Sequence, residues 1–365
     1  MGLQCGIVGL PNVGKSTLFN ALTNAKAQAA NFPFCTIEPN VGVITVPDER
    51  LNTLEGLVKP DKVLPTTIEI VDIAGLVQGA SKGEGLGNQF LANIRNVDAI
   101  IHVVRCFKDD NVTHVHDVVD PVRDKEIIDT ELQLKDLDTL QKRIEKSAKQ
   151  AKAGDKKSKS DLEMLKDLHE FISSGKSARN YNHNEDLLEL VNELHLLTMK
   201  PVLYVCNVDE NSAVSGNEYT EGFIKTIEEE SAHYLIISAA IEAEISELDS
   251  YEERQLFLED IGLSSSGLNK LIKSSYELLD LITFFTAGKQ EVRAWTIKKE
   301  TKAPASAGVI HTDFERGFIK AEVISYNDFK SLGSEQICKE KGKMRLEGKE
   351  YVVSDGDIMH FKFNV

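Results

Sequence analysis

The stretch GLPNVGKST at residues 9–17 fits the pattern GxxxxGK[ST] of a phosphate-binding loop. A short apolar run at residues 5–8 precedes it and an apolar helical segment follows from Leu18, so the loop joins a predicted strand to a predicted helix. In that setting the backbone amides of the loop converge on a phosphate group, and the helix N-terminus favours negative charge. The sequence therefore predicts a nucleotide-phosphate site that contains Asn12, Val13, Gly14, Lys15, Ser16 and Thr17.

Two side chains of this loop have specific chemical roles in the prediction. Lys15 bridges the β- and γ-phosphates and acts as a catalytic residue, while the Ser16 hydroxyl ligates Mg²⁺. The alternative is a chance glycine-rich turn. The predicted strand and helix on either side argue against that alternative.

Mg²⁺ and the γ-phosphate also need contacts from neighbouring elements. Residues 72–75 fit DxxG at the end of a second apolar run, so we expect Asp72 to reach Mg²⁺ directly or through water and the Gly75 amide to meet the γ-phosphate. Thr36, between the two motifs, is the candidate that closes over Mg²⁺ as a first switch, and its alternative is an ordinary loop threonine. The glycines of residues 76–88 predict a second switch that nucleotide orders.

A four-residue motif after the apolar run 202–206 indicates the base. Guanine-specific enzymes carry NKxD there, whereas this chain has Asn207, Val208, Asp209 and Glu210, so the lysine stem is absent and the guanine-reading carboxylate is one carbon longer. Adenine lacks both donors that the aspartate reads, which favours ATP over GTP. A last base-contacting loop is predicted after residues 235–237, and the full base site is Asn207, Val208, Glu210, Ser238 and Ala239.

The group that assists hydrolysis is less evident. Leu76 occupies the position at which Ras-type enzymes use Gln to orient the attacking water, and an apolar side chain cannot do this. The intrinsic rate is therefore low, or another group assists. His114 is the predicted catalytic residue because imidazole exchanges a proton near neutral pH. Gln78 and a partner molecule are the alternatives.

The composition excludes several classes of protein. The chain has 365 residues and a formal net charge of −16, which argues against non-specific coating of nucleic acid. The five cysteines contain no CxxC pair and indicate reduced thiols rather than a disulfide framework or zinc site. No run approaches the length of a membrane span and the N-terminus lacks a signal-peptide layout, so we expect a cytoplasmic protein without a membrane partner.

The apolar runs predict an α/β fold with a largely parallel sheet. They lie at residues 5–8, 68–71, 99–104, 202–206 and 235–237, with a further strand at 41–46 as an antiparallel neighbour of 68–71. The predicted nucleotide-binding domain comprises residues 1–123 and 199–280.

A helical hairpin is predicted as an insertion at residues 124–198. One helix has the spacing Leu134, Leu137, Gln141 and Ile144, and the other has Leu162, Leu165, His169 and Ile172, with a turn at about residues 153–160. The hairpin tip is rich in lysine, which fits either a solvated turn or a contact with RNA or an acidic partner. Its lysines are Lys146, Lys149, Lys152, Lys156, Lys157 and Lys159.

Residues 281–365 predict a small β-rich domain with strands at 292–297, 308–310, 318–324, 351–353 and 358–363. This part has 14 Lys and Arg against 12 Asp and Glu, a balance of +2, so the other 280 residues carry −18.

With these motifs in order, the chain resembles the Obg-like ATPase (YchF) family over its whole length. The most specific shared parts are residues 9–17, DIAGLVQGA at 72–80 with GEGLG at 83–87, and NVDE at 207–210. The resemblance implies a P-loop G domain that prefers ATP, an inserted helical hairpin (coiled coil) and a C-terminal β-grasp-like TGS domain at 281–365. It also implies association with the ribosome, through the TGS domain or the lysine-rich tip, by a protein that we expect to be a monomer.

The resemblance also bears on catalysis. His114 falls where the family carries a histidine. A likeness to cation-activated P-loop enzymes implies that Asn12 helps to bind K⁺ beside the phosphates. Two other functions stay open: a GTPase related to the Obg and DRG proteins, and a nucleotide-gated RNA- or protein-binding module with negligible turnover, which Leu76 favours.

Overall fold

The computed structural model describes residues 3–27, 40–73, 86–109, 112, 118–230 and 232–364, without the side chains of 25–27 and 86. Contacts divide the chain into two compact units. The first comprises Met1–Ile44 and Glu69–Leu271, and the second comprises Thr45–Ile68 and Ile272–Val365. Within the described residues, no helix is both long enough and apolar enough to span a membrane.

The described strands are β1 (Gln4–Val8), β2 (Val41–Thr45), β3 (Lys62–Leu64), β4 (Thr67–Asp72), β5 (Ala99–Arg105), β6 (Val202–Asn207), β7 (His233–Ile237), β8 (Leu281–Ala287), β9 (Glu291–Lys298), β10 (Phe318–Ser325), β11 (Arg345–Glu347) and β12 (Asp357–Phe363). The described α-helices are α1 (Lys15–Ala27), α2 (Glu49–Val58), α3 (Leu86–Asn96), α4 (Pro121–Lys152), α5 (Lys156–Ser173), α6 (Glu185–Asn192), α7 (Glu218–Glu228), α8 (Ala239–Glu247), α9 (Tyr251–Asp260), α10 (Gly267–Leu278), α11 (Ala303–Ile310), α12 (Thr312–Arg316), α13 (Tyr326–Leu332) and α14 (Glu335–Glu340). Short 3-10 helices lie at Ala178–Asn180, Leu197–Met199 and Glu210–Ser212.

The first sheet has the order β2-β4-β1-β5-β6-β7, and the strands β4, β1, β5, β6 and β7 run parallel. All residues of β5 and β6 are buried, as expected for central strands that are covered on both faces. The strands predicted at 5–8, 68–71, 99–104, 202–206 and 235–237 are confirmed. Their carboxyl ends meet at one edge, where ligands bind in open α/β sheets.

Strand β2 is antiparallel to β4, as predicted. The amide of Val46 donates to Thr66 O at 2.9 Å, and the amide of Asp72 donates to Asn40 O at 2.9 Å. Between these two bonds the residue numbers rise along β2 and fall along β4, so the two strands are antiparallel.

Helices α4 and α5 form the predicted hairpin, and the predicted residues Leu137, Ile144, Leu165 and Ile172 lie in its apolar cluster. The prediction was wrong for Leu134 and Gln141, which are exposed, and it missed Leu140 and Leu168. The turn is also shorter than predicted, because Asp155 caps α5 at Lys156 by accepting from the amide of Lys157. The stripe along α4 differs because residues 197–199 also contact this helix, where Asp136 accepts from the amides of Leu197 and Thr198.

The second unit contains a sheet of order β11-β10-β12-β8-β9-β3 with apolar clusters that involve α11 in one case and α2, α13 and α14 in the other. Residues 45–68 were assigned by sequence to the nucleotide-binding domain, whereas here they group with the C-terminal residues. The physical reason is that β3 pairs with β9 and that Leu51 and Leu54 of α2 join the apolar cluster of Phe285.

Two strands predicted in the C-terminal part were wrong. Residues 308–310 end helix α11, which begins at Ala303 and buries Ala303 and Ala307. Residues 351–353 contribute only an isolated bridge between Val352 and Lys302. Short apolar runs do not distinguish a buried helix turn from a strand.

Candidate nucleotide-binding site

The phosphate loop connects the carboxyl end of β1 to the first turn of α1. Its backbone requires left-handed geometry at Asn12 (φ 62°) and Gly14 (φ 97°). Gly14 is also required by space, since a Cβ atom there would lie 2.2 Å from Nδ2 of Asn207. Val13 is fully buried, whereas Asn12, Ser16 and Thr17 are exposed to solvent. The loop is therefore anchored in the core through Val13, while Asn12, Ser16 and Thr17 are open to solvent.

Lys15 lies at the first position of α1 and is only 7% exposed. Its ammonium group donates a 2.8 Å hydrogen bond to Leu10 O, across the loop. Burial lowers the pKa of Lys15 to about 8, while the negative charge of Asp72 opposes that shift. The lysine is thus held inside the loop, where a phosphate can exchange for the carbonyl.

Asp72 and Ser16 come together although 56 positions separate them. The Ser16 hydroxyl hydrogen-bonds with the Asp72 carboxylate, and both this bond and Lys15 oppose the effect of burial, which raises the pKa of Asp72. Oδ1 of Asp72 is buried and has no hydrogen-bond partner among the described residues.

An orphaned carboxylate oxygen beside an exposed hydroxyl fits the hard oxygen ligands that Mg²⁺ takes. Across the described chain, no group of three or more His, Cys, Asp or Glu is arranged to hold a metal ion alone. Mg²⁺ would therefore take its remaining ligands from nucleotide phosphates and water, as is usual for this ion.

Asn207, at the end of β6, connects three segments that are far apart in sequence. Its Nδ2 donates to Val13 O at 2.8 Å, and its Oδ1 accepts from the amide of Ala239 at 2.9 Å. The side chain is 4% exposed, so both bonds are shielded from water. Asn207 therefore fixes the phosphate loop against the predicted base loop.

The rest of the NVDE motif divides into buried and exposed parts. Val208 is buried, and its amide donates to Ile237 O. Asp209 caps a 3-10 helix, because its carboxylate accepts from the amide and hydroxyl of Ser212. Glu210 is exposed at the first position of that helix. Of the two carboxylates, only Glu210 is left to face a ligand.

Ser238 and Ala239 lie at the start of α8, and both are buried. Ser238 makes no side-chain capping bond, and its Oγ lacks a hydrogen-bond partner in the described part of the chain. Ala239 is brought to the site through its amide. The structure thus places this loop beside Asn207.

Sequence reasoning missed Arg105, the last residue of β5. Its guanidinium is buried and donates to the carbonyl oxygens of Phe107, Asp109 and Val112. Arg105 thereby shapes the loop that follows β5. The available signal was a charged residue that ends an otherwise apolar run.

Several predicted site residues lie outside the described residues. They are Thr36, Gly75 and His114, together with Leu76 and Gln78. Their assigned roles stay predictions.

Comparison with known proteins agrees with this geometry. Residues 4–147 match the MMR_HSR1 family model, described as a 50S ribosome-binding GTPase, and residues 281–364 match YchF-GTPase_C, described as a protein of unknown function (DUF933). The chain is 56% identical over 367 residues to the "Ribosome-binding ATPase YchF" of Bacillus subtilis (strain 168) and 54% identical over 365 residues to that of Haemophilus ducreyi, with 100% of each chain covered.

A solved structure extends the similarity to the whole fold. The structure of the Schizosaccharomyces pombe YchF GTPase superimposes with a TM-score of 0.90 at 39% identity, covering 99% of this chain and 98% of that one. Full-length identity above one half, together with the phosphate loop and the Asn207 contacts, shows that the chain belongs to the YchF family of P-loop nucleotide hydrolases.

Proposed function

We propose that this chain binds and hydrolyses ATP and that its nucleotide state regulates a contact with the ribosome. The observation that carries the proposal is the pair of hydrogen bonds by which Asn207 joins the phosphate loop to the base loop. One buried side chain thereby sets the distance between the phosphate and base ends of a nucleotide. The bacterial relatives are named ribosome-binding ATPases, which points to the same activity.

The preference for adenine follows from the NVDE motif. Val208 is buried and apolar where a guanine site carries lysine, and Asp209 is engaged in capping. Glu210 replaces the shorter guanine-reading carboxylate. GTP is the second candidate, because the Schizosaccharomyces pombe relative is named a GTPase and the MMR_HSR1 family is one of ribosome-binding GTPases.

Binding of both nucleotides distinguishes the candidates. We expect ATP to bind the wild type at least about tenfold more tightly than GTP, a difference near 1.4 kcal/mol. Tighter binding of GTP would refute the interpretation of residues 207–210. Tight ATP binding with no phosphate release would instead indicate a nucleotide-gated module.

Mg²⁺ is the proposed cofactor, held by the Ser16 hydroxyl and Asp72, with Thr36 as a further candidate ligand. When bound, the ion neutralises charge on the β- and γ-phosphates. Lys15 supplies a second positive charge at the phosphates, and the loop amides orient them. Lys15→Ala should abolish Mg²⁺-dependent hydrolysis, and unchanged hydrolysis would refute the site.

His114 is proposed to assist the attacking water, and its substitution by alanine should reduce kcat while leaving the Kd for ATP unchanged. A K⁺ ion held with the help of Asn12 is a further proposal. Asn12 is exposed at the loop in left-handed geometry, a position from which its side chain can meet solvent ions. Equal turnover in K⁺ and in Na⁺ would contradict it.

The ribosomal contact is proposed at the lysine-rich tip or in the C-terminal domain at 281–365. Residues 146–160 contain six lysines and one aspartate, and all six lysines are exposed. Replacement of the six by glutamine should weaken cosedimentation with ribosomes and reduce its salt dependence. A variant without residues 281–365 tests the other site, and unchanged cosedimentation of both variants would place the contact elsewhere. We propose a monomeric, cytoplasmic protein.

A further inference from the structure

Helix α8 starts at the base loop without a conventional cap. Ser238 is its N-cap residue, yet the Ser238 side chain makes no capping hydrogen bond. The amide of Ala239 is instead bound by Asn207 from the side of the phosphate loop. Something else must fix the opposite side of this helix end, since free helix termini fray.

Glu242, in the first turn of α8, supplies a contact on that opposite side. Its carboxylate is 1% exposed and accepts hydrogen bonds from the amides of Gly267 at 2.6 Å and Leu268 at 3.2 Å. These two amides begin α10, where unpaired donors and the helix dipole favour a negative charge. A single carboxylate therefore joins the beginnings of two helices.

Gly267 makes this close approach possible. A Cβ atom at Gly267 would lie 2.9 Å from Oε1 of Glu242 and 3.0 Å from a side-chain carbon of Ile237. Ile237 is the last residue of β7 and directly precedes Ser238. The start of α10 thus packs behind the base loop, against both its strand and its helix.

We propose that Glu242 is a positioning residue that sets nucleotide base specificity by holding the loop of Ser238 and Ala239 between Asn207 and the N-terminus of α10. Glu242 itself does not touch the nucleotide. The proposal rests on the proposed function, because it assumes that this loop contacts the base.

The test measures Kd values for ATP and GTP and kcat for ATP hydrolysis with the full chain. Glu242→Ala removes both acceptors, so we expect the Kd for ATP to rise about tenfold, the preference for ATP over GTP to fall toward one, and kcat to stay within about twofold. Glu242→Gln keeps one acceptor oxygen and should show a smaller effect. Glu244→Gln is the matched control, since Glu244 is exposed on the same helix.

A second variant tests the same contact without replacing Glu242, in case the Glu242 variants do not fold. Gly267→Ala leaves Glu242 in place but displaces its carboxylate, and we expect the same loss of ATP preference. Thermal unfolding identifies which variants fold, and the Kd values of the folded variants test the role of Glu242. An unchanged Kd for ATP in the folded Glu242 and Gly267 variants, or an equal rise for ATP and GTP, would overturn the proposal.

Different results would refute the proposed preference for ATP and the proposed role of Glu242. If the wild type prefers GTP, the adenine assignment is wrong, whereas loss of that GTP preference in Glu242→Ala would still support the role of Glu242. If the wild type prefers ATP and Glu242→Ala keeps the full preference, only the role of Glu242 is wrong.

Discussion

The side-chain nitrogen of Asn207 donates a 2.8 Å hydrogen bond to the carbonyl oxygen of Val13, across a sequence separation of 194 residues. Because the same side chain accepts from the amide of Ala239, its removal leaves two buried backbone groups unpaired. This relationship makes the phosphate loop and the base loop one site.

Replacement of Asn207 should therefore weaken nucleotide binding as a whole. We expect Asn207→Ala to raise the Kd for ATP by about 10- to 100-fold, the range that corresponds to the loss of one or two buried hydrogen bonds. Titration calorimetry checks this. Asn211→Ala is the control because Asn211 is exposed nearby, and a Kd within twofold of wild type for Asn207→Ala would contradict the prediction.

Gly14 is predicted to tolerate no side chain. Gly14→Ala places a methyl group 2.2 Å from Nδ2 of Asn207 at a φ of 97°, so it should displace Asn207, destabilise the protein by about 1 to 3 kcal/mol and abolish measurable ATP binding. Gly56→Ala is the control, since a Cβ at Gly56 in α2 meets no atom within 4 Å. That change should stabilise by about 0.5 to 1 kcal/mol. Thermal unfolding and ATP titration measure both variants, and wild-type ATP binding by Gly14→Ala would refute the clash.

Lys15 predicts a pH dependence of nucleotide binding. With a pKa lowered to about 8, Lys15 is charged below that pH and loses its proton above it, so ATP affinity should fall about tenfold between pH 7 and pH 9. Titrations of the protein with ATP at several pH values measure how the Kd changes with pH. Lys15→Arg keeps its charge throughout, and its affinity should be flat with pH even if weaker. Equal slopes for the two proteins would show that another group titrates.

His102, buried in β5 beside Tyr204, predicts a pH dependence of stability. Burial lowers the pKa of His102 to about 4, so the unfolded chain takes up a proton at higher pH than the folded one. Stability from this group is present above about pH 6.5 and is lost as the pH falls toward 4.

The resulting change in the free energy of unfolding between pH 7 and pH 5.5 is about 1 kcal/mol. His102→Gln should remove this change in the free energy of unfolding between the two pH values. His360→Gln, at an exposed site, should keep it. Denaturant unfolding at the two pH values measures the difference. A wild-type slope in His102→Gln would contradict the assignment.

Sequence predicted most of the first unit because its signals are local. The phosphate loop needs nine consecutive residues with glycine at fixed positions, and each central strand is a continuous apolar run that is buried on both faces. These features predicted the parallel strands β1, β4, β5, β6 and β7 and the sheet edge at which the phosphate loop lies.

Predictions failed where the deciding contact comes from a distant part of the chain. Residues 45–68 belong with the C-terminal unit because β3 pairs with β9. The apolar stripe of α4 differs from the prediction because residues 197–199 also contact this helix. Residues 308–310 form a helix because Ala303 and Ala307 pack into a core that local periodicity does not reveal.

By itself the sequence determined that this chain has a phosphate-loop pattern, a DxxG pattern and an NVDE pattern, because each consists of consecutive residues. The tertiary structure alone decided that Asn207 binds Val13 and Ala239, that Asp209 caps a 3-10 helix and that Glu242 accepts from the first amides of α10. Each of those contacts depends on which donors and acceptors meet across the fold, because most buried polar groups in a folded chain are hydrogen-bonded.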